Sequence, residues 1–202
     1  VFNITTSRDK SLPRKLVLDA NGKERFSKYL PKEKTRAGMR TMASYVGTIE
    51  DYPYPYVINR LCWEFPCVVP SDWEAQNIQR SNNPDTFRDM KFALDATVIK
   101  KGDYPLVFHP HGWILNDQIV ELINHAHSTY GKQVKFLTFR DFLERINKHL
   151  LKGSSLRSAN GNDNGVRLLD INNDGYMDVV IGDGERQLSR IYVPTANTWK
   201  ET

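Results

Sequence analysis

The chain has 202 residues, of which 40% are hydrophobic and 26% charged, and it carries a formal net charge of +4. That balance belongs to a folded polypeptide, large enough for one domain or for one domain and part of another. No apolar run approaches the roughly 20 residues needed to span a bilayer, so no transmembrane segment is expected. The early basic residues (Arg14, Lys15, Lys23, Arg25, Lys28, Lys32, Lys34, Arg36 and Arg40) are interspersed with Asp19, Glu24 and Glu33. A solvated surface reads that way, whereas a nucleic-acid binder shows a purer basic face, so no nucleic-acid partner is expected.

In chain order, Leu16-Val-Leu18 is a short apolar run ended by the turn residues Asp19-Ala-Asn-Gly22. Glu24 to Leu30 suits a short helix stopped by Pro31, and Arg36 to Tyr45 is ambiguous. Tyr52-Pro-Tyr-Pro-Tyr56 is extended, because a residue before proline is pushed out of the helical region. Cys62 and Cys67 lack metal-ligand spacing and have no second pair to complete a zinc site; they read as a disulfide or as two small residues beside a strand. Phe65-Pro-Cys-Val-Val69 reads as strand or extended, ending at Pro70-Ser-Asp-Trp73, where a helix can begin.

Three helices are predicted next. Asn83-Pro84 caps the first, with Phe87, Met90, Leu94 and Val98 on one face up to Gly102. Asn116 caps the second, with Ile119, Leu122, Ile123 and Ala126 on one face and Gly131 as its stop. Thr138 and Asp141 form a capping box for the third, with Phe139, Phe142, Leu143, Ile146 and Leu150 at helical spacing before Gly153. Leu106-Val-Phe108 and Val134 to Leu137 are buried-strand candidates ahead of the second and third helices. Strand and helix in alternation predict parallel βα units, which carry their chemistry at the carboxyl ends of the strands. His109-Pro-His-Gly-Trp113 falls at such an end. Residues 153–164 read as a polar, glycine-rich linker, and residues 165–202 switch to short strands.

Inside that last segment lies Asp170-Ile-Asn-Asn-Asp-Gly-Tyr-Met-Asp178. A hard divalent cation takes six to eight oxygens at about 2.3–2.6 Å. Asp170, Asn172 and Asp174 offer side-chain oxygens at alternating positions, Gly175 permits the sharp turn, Tyr176 offers its carbonyl, and Asp178 closes the set. Carboxylates this close repel one another without a cation, so calcium is expected here. An EF-hand would need a bidentate Glu where Ile181 stands. The nine-residue form followed by Val-Val-Ile-Gly instead resembles the FG-GAP (VCBS-like) repeat of calcium-binding β-propellers, which implies a loop between two strands and a blade fragment.

Leu106-Val-Phe-His-Pro-His-Gly-Trp113, a helix, and then Val134-Lys-Phe-Leu-Thr-Phe139 resemble the closing segment of polysaccharide deacetylases. The resemblance spans roughly residues 50–150. It implies an α/β chain whose residues 1–152 are the C-terminal part of a distorted (β/α) barrel. By position His109 matches the general acid that protonates the leaving amine. Asp72, in Pro70-Ser-Asp-Trp73, matches the acidic residue that tunes it. Trp73, Trp113 and His111 would line the sugar site. The family's Thr-Phe-Asp-Asp-Gly motif and early His-x-x-x-His pair are absent, and Arg40 is a weak match to its arginine motif. The ligands of a catalytic divalent metal (Zn2+ or similar) are therefore expected outside this chain. His125 and His127 lie two apart on a helix, point to different faces and read as surface residues. The expected protein is a processed or excised piece of a secreted, multidomain carbohydrate-active parent from outside the cell or its envelope, its partners being an N-acetylated glycan and the rest of the parent. The alternative is a calcium-dependent carbohydrate-binding or adhesion module on an inactive scaffold.

Overall fold

The computed structural model describes residues 2–3, 9–29, 49–50, 53–184 and 186–202. The ambiguous 36–45 segment and Arg40 lie outside them. The chain is mixed α/β and divides into two compact units, one of Val1–Pro53 with Pro66–Val134 and one of Tyr54–Phe65 with Lys135–Thr202. Among the described residues no helix is long and apolar enough to cross a membrane.

In the first unit, β1 (Phe2–Asn3) and β2 (Ile49–Glu50) form a short parallel pair. Leu16 and Val17 belong to a single helical turn, α1 (Arg14–Val17). The turn after it forms as predicted, with the Asp19 carboxylate accepting the N–H groups of Asn21 and Lys23. The segment expected as a short helix at 24–30 is a 3-10 turn at Ser27–Tyr29. After a cis Val69–Pro70 bond, Ser71 caps α2 (Asp72–Glu74) in a capping box with Glu74, and a π-helical turn follows at Ala75–Gln79.

The long helix α3 (Pro84–Lys100) starts where Asn83-Pro84 places it, with the Asn83 side chain accepting the Asp85 N–H. It is buried on two faces. Phe87, Met90 and Leu94 pack with Ile114, Leu122 and Ala126 of the next segment. Ala93 and Ala96 pack with Leu12, Leu16, Val17, Phe26, Tyr29, Val68 and Val69. The second face also carries charge. Asp89 is fully buried and takes Arg25 at 3.2 Å, Lys28 at 2.6 Å and the Tyr29 hydroxyl at 2.9 Å. Burial, together with the Asp89 charge, raises the Tyr29 hydroxyl pKa. Lys100, also fully buried, reaches Asp9 at 2.6 Å. Buried charges demand such partners.

Helix α4 (Asn116–Tyr130) begins one residue earlier than an Asn116 cap would place it. Leu115 holds the cap position, and the Gln118 side chain accepts the Leu115 N–H. Leu122 and Ala126 are buried and Ile119 packs beside them, but Ile123 faces outward at 39% exposure.

In the second unit, β3 (Tyr56–Ile58) and β4 (Cys62–Glu64) form a hairpin whose turn holds Asn59 and Arg60 at positive φ. No disulfide joins Cys62 or Cys67. Helix α5 (Phe139–Arg145) has the predicted Thr138–Asp141 box and continues as a π turn, Ile146–Leu150. Strands β5 (Val166–Leu169), β6 (Asp178–Gly182), β7 (Gln187–Val193) and β8 (Thr198–Glu201) make an antiparallel meander in sequence order. Ile146, Leu151, Leu156, Val166, Val179 and Ile181 form its core, joined by Val57, Trp63, Phe65 and Phe142. Leu156, within the stretch read as a linker, is thus a core residue.

Two expectations fail. Leu106–Phe108 and 134–137 are not strands, and no parallel βα sheet runs through these residues. Val107 and Phe108 are 40% and 49% exposed, and Phe136 and Leu137 are 58% and 44% exposed. A strand is defined by the neighbour that takes its N–H and C=O groups. Among the described residues neither segment has such a neighbour, so apolar content alone did not make a strand. No barrel closes among them.

Candidate functional site

The first unit brings Asp72 and His109 into contact across 37 residues of sequence. Asp72 is placed by its helical turn, where the Ser71 cap and Glu74 fix the backbone, and its side chain is fully buried. Its carboxylate accepts the backbone N–H of His109. It also lies 3.1 and 3.3 Å from His109 Nδ1. A carboxylate can only accept, so Nδ1 carries the hydrogen and Nε2 is left as the ring atom for proton transfer. The imidazole itself is 38% exposed, so one edge is anchored and the rest is accessible.

Trp113 packs against that ring at 4.5 Å between centroids. His111, exposed, stacks at 6.0 Å from His109 and 5.6 Å from Trp113. Gly112 between them stands at φ +79, a left-handed turn that brings all three rings to one place. Trp73 sits in the helical turn of Asp72 and its N–H donates to Ser71 Oγ at 3.2 Å. Among the described residues its ring joins none of these aromatic contacts. His109, Asp72, His111 and Trp113 are therefore brought together, and Trp73 is a neighbour of the buried acid only.

His125 Nε2 donates to Asp95 at 2.7 Å, and the Tyr130 hydroxyl donates to the same Asp95 oxygen at 2.7 Å. Burial, then Asp95, raises the Tyr130 pKa. His125 thus ties α3 to α4, and His127 is exposed. Asp103, just upstream of the histidine turn, was not singled out by sequence. It is 8% exposed, both carboxylate oxygens lack a hydrogen-bond partner among the described residues, and burial pushes its pKa up to about 8.

The second unit places the acidic loop between β5 and β6, closed by the Leu169–Asp178 pair. Asp170 Oδ1 and Asn172 Oδ1 share the Asp174 N–H at 3.0 and 3.2 Å. Asp170 Oδ2 accepts the Gly175 N–H at 2.7 Å, and Asp174 accepts from Asn172 Nδ2 and from the Tyr176 N–H, each at 2.9 Å. Two side-chain oxygens thus accept from one amide N–H, and each carboxylate oxygen keeps a second lone pair. Asp178 differs. It is fully buried, and its two oxygens take the N–H of Ile171 at 2.9 Å and of Tyr192 at 2.8 Å. It staples the loop to β7. Backbone N–H groups therefore offset part of the repulsion among these carboxylates. Asp170, Asn172 and Asp174 keep unused oxygen lone pairs, whereas both Asp178 oxygens are committed to backbone N–H groups.

Among the described residues no group of three or more His, Cys, Asp or Glu side chains is arranged to hold a metal ion.

The chain matches no family model, no curated protein and no solved structure.

Proposed function

We propose that the first unit supplies the leaving-group side of a site that hydrolyses amide-linked acyl groups on N-acetylated sugars. The observation that carries this is the buried Asp72 bound to His109 Nδ1. The pair fixes one tautomer and orients the ring, so that Nε2 is the nitrogen that exchanges a proton with substrate. Protonated at Nε2, His109 gives that proton to the amine nitrogen as the C–N bond breaks. Trp113 and His111 offer ring faces for a sugar, and Trp73, next to Asp72 in the chain, is the third aromatic assigned to it. A divalent metal that activates the attacking water belongs to this reading with ligands outside the described residues, in the remainder of a deacetylase-type (β/α) barrel. The parent would act outside the cell or in its envelope.

The second unit, on the same reading, is a calcium-binding β repeat of the propeller type, with Asp170, Asn172, Asp174 and Tyr176 as ligands and Asp178 closing the loop. The meander and the placement of the loop between two strands support it.

Acetate release from an N-acetylated oligosaccharide, by the full-length protein, tests the enzyme. Turnover that survives His109→Ala unchanged sinks the acid role. A second reading is a calcium-dependent carbohydrate-binding module without catalysis. The partly exposed ring cluster of His109, His111 and Trp113 favours it, because stacking a sugar needs no metal-bound water. Oligosaccharide binding that Trp113→Ala abolishes, with no acetate released by the wild-type protein, selects this reading.

A further inference from the structure

The histidine turn is held by groups that the proposed chemistry does not use. Trp113, whose ring lies on His109, accepts the Asn82 N–H at its carbonyl oxygen at 2.9 Å. Asn82 stands at φ +60, directly before the Asn83 cap of α3. Its own carbonyl accepts Gln118 Nε2 at 3.3 Å, while Gln118 Oε1 accepts the Leu115 N–H at 3.0 Å. One primary amide therefore uses its donor on the lead-in to α3 and its acceptor on the start of α4. Asn82 and Leu115 bracket Trp113, one through a hydrogen bond and one through the chain.

We propose that Gln118 is a positioning residue for His109, clamping the turn so that the Trp113 ring keeps the imidazole against Asp72. This rests on the reading of His109 as a general acid. A residue that only capped α4 would need the Leu115 bond alone. The bond to Asn82, 36 residues away, is what couples the turn to α3. A carboxylate has no donor for that bond, and an apolar side chain has neither half. With the clamp slack, the Nδ1–Asp72 contact loosens and both tautomers of His109 become populated.

The test is the His109 tautomer, read from imidazole nitrogen chemical shifts in the 15N-histidine-labelled chain without substrate. Gln118→Glu keeps the acceptor for Leu115 and places an acidic group in the first turn, which favours the helix, but it loses the donor to Asn82. The expected result is a folded chain whose ratio of Nδ1–H to Nε2–H tautomer falls about fivefold, the worth of one net hydrogen bond. Gln118→Met, which lacks both halves, should show at least the same fall. A folded Gln118→Glu chain with the wild-type ratio overturns the proposal, as does loss of folding in that variant, which would make Gln118 merely structural. Wild-type protein that releases no acetate, yet responds in this way, would remove the acid role and leave the positioning role standing.

Discussion

Replacing Asp103 by Asn should stabilise the protein, increasingly so as pH rises. The side chain is 8% exposed, neither carboxylate oxygen has a partner among the described residues, and its pKa is pushed up to about 8 by burial. Its N–H is anchored to the Pro53 carbonyl at 2.9 Å. Beside it Gly102 approaches Pro53 so closely that an added Cβ would lie 2.2 Å from the carbonyl oxygen. The unfolded chain has the ordinary carboxyl value of 3.8. Between the two values the folded state holds a proton that the unfolded state has released. Any advantage of the buried acid is complete below 3.8 and disappears as pH rises to about 8. The slope is about 1.4 kcal/mol per pH unit, which amounts to up to about 4 kcal/mol at pH 7. Asn has nearly the same shape and does not titrate. Urea unfolding followed by tryptophan fluorescence at pH 5, 6.5 and 8 should show the gap between Asp103→Asn and wild type widening at each step. A gap that stays constant across this range would refute the reasoning.

Three other outcomes follow from the contacts. Asp178→Ala should cost about 3–5 kcal/mol with or without calcium, because it strands two backbone N–H groups that bond to a charged acceptor; urea denaturation in chelator checks this. Asp174→Ala should cost about 1–2 kcal/mol in chelator, for its lost bonds to the Tyr176 N–H and Asn172, and abolish any rise of melting temperature with calcium; equal calcium shifts in wild type and variant would remove the site. Asp89→Ala should cost about 3–5 kcal/mol, since Arg25 is left with an unmatched, mostly buried charge; thermal unfolding measures it, and a loss below about 1 kcal/mol would contradict the buried network.

Much of the local structure was legible because caps and turns are written in few residues. Asn83-Pro84, Thr138 with Asp141, Gly131 and the Asp19–Gly22 turn all act where their chemistry places them. The helical face Phe87–Met90–Leu94 was legible too, because burial repeats with the helix period. The other face of α3 was not, since Asp89 and Lys100 look like surface residues until Arg25, Lys28 and Asp9 are brought to them from far along the chain. Strands at 106–108 and 134–137 failed for a related reason, because pairing depends on neighbours that a local apolar run does not specify. At the site, Asp72, His109, His111 and Trp113 were named from motifs and do converge, whereas Gln118 and Asp103 carry no motif. Asp178 was named as the closing ligand of a loop, and its bond to the Tyr192 N–H depends on the register of β6 and β7, which the loop sequence does not contain.

Acetate release by wild type, His109→Ala and Asp72→Asn, in the full-length protein, tests the central claim most directly. The account predicts that His109→Ala lowers kcat by about 100-fold or more, the usual worth of a positioned acid. Asp72→Asn, which cannot fix the tautomer in the same way, should fall between that variant and wild type. Acetate release by His109→Ala at the wild-type rate would contradict it.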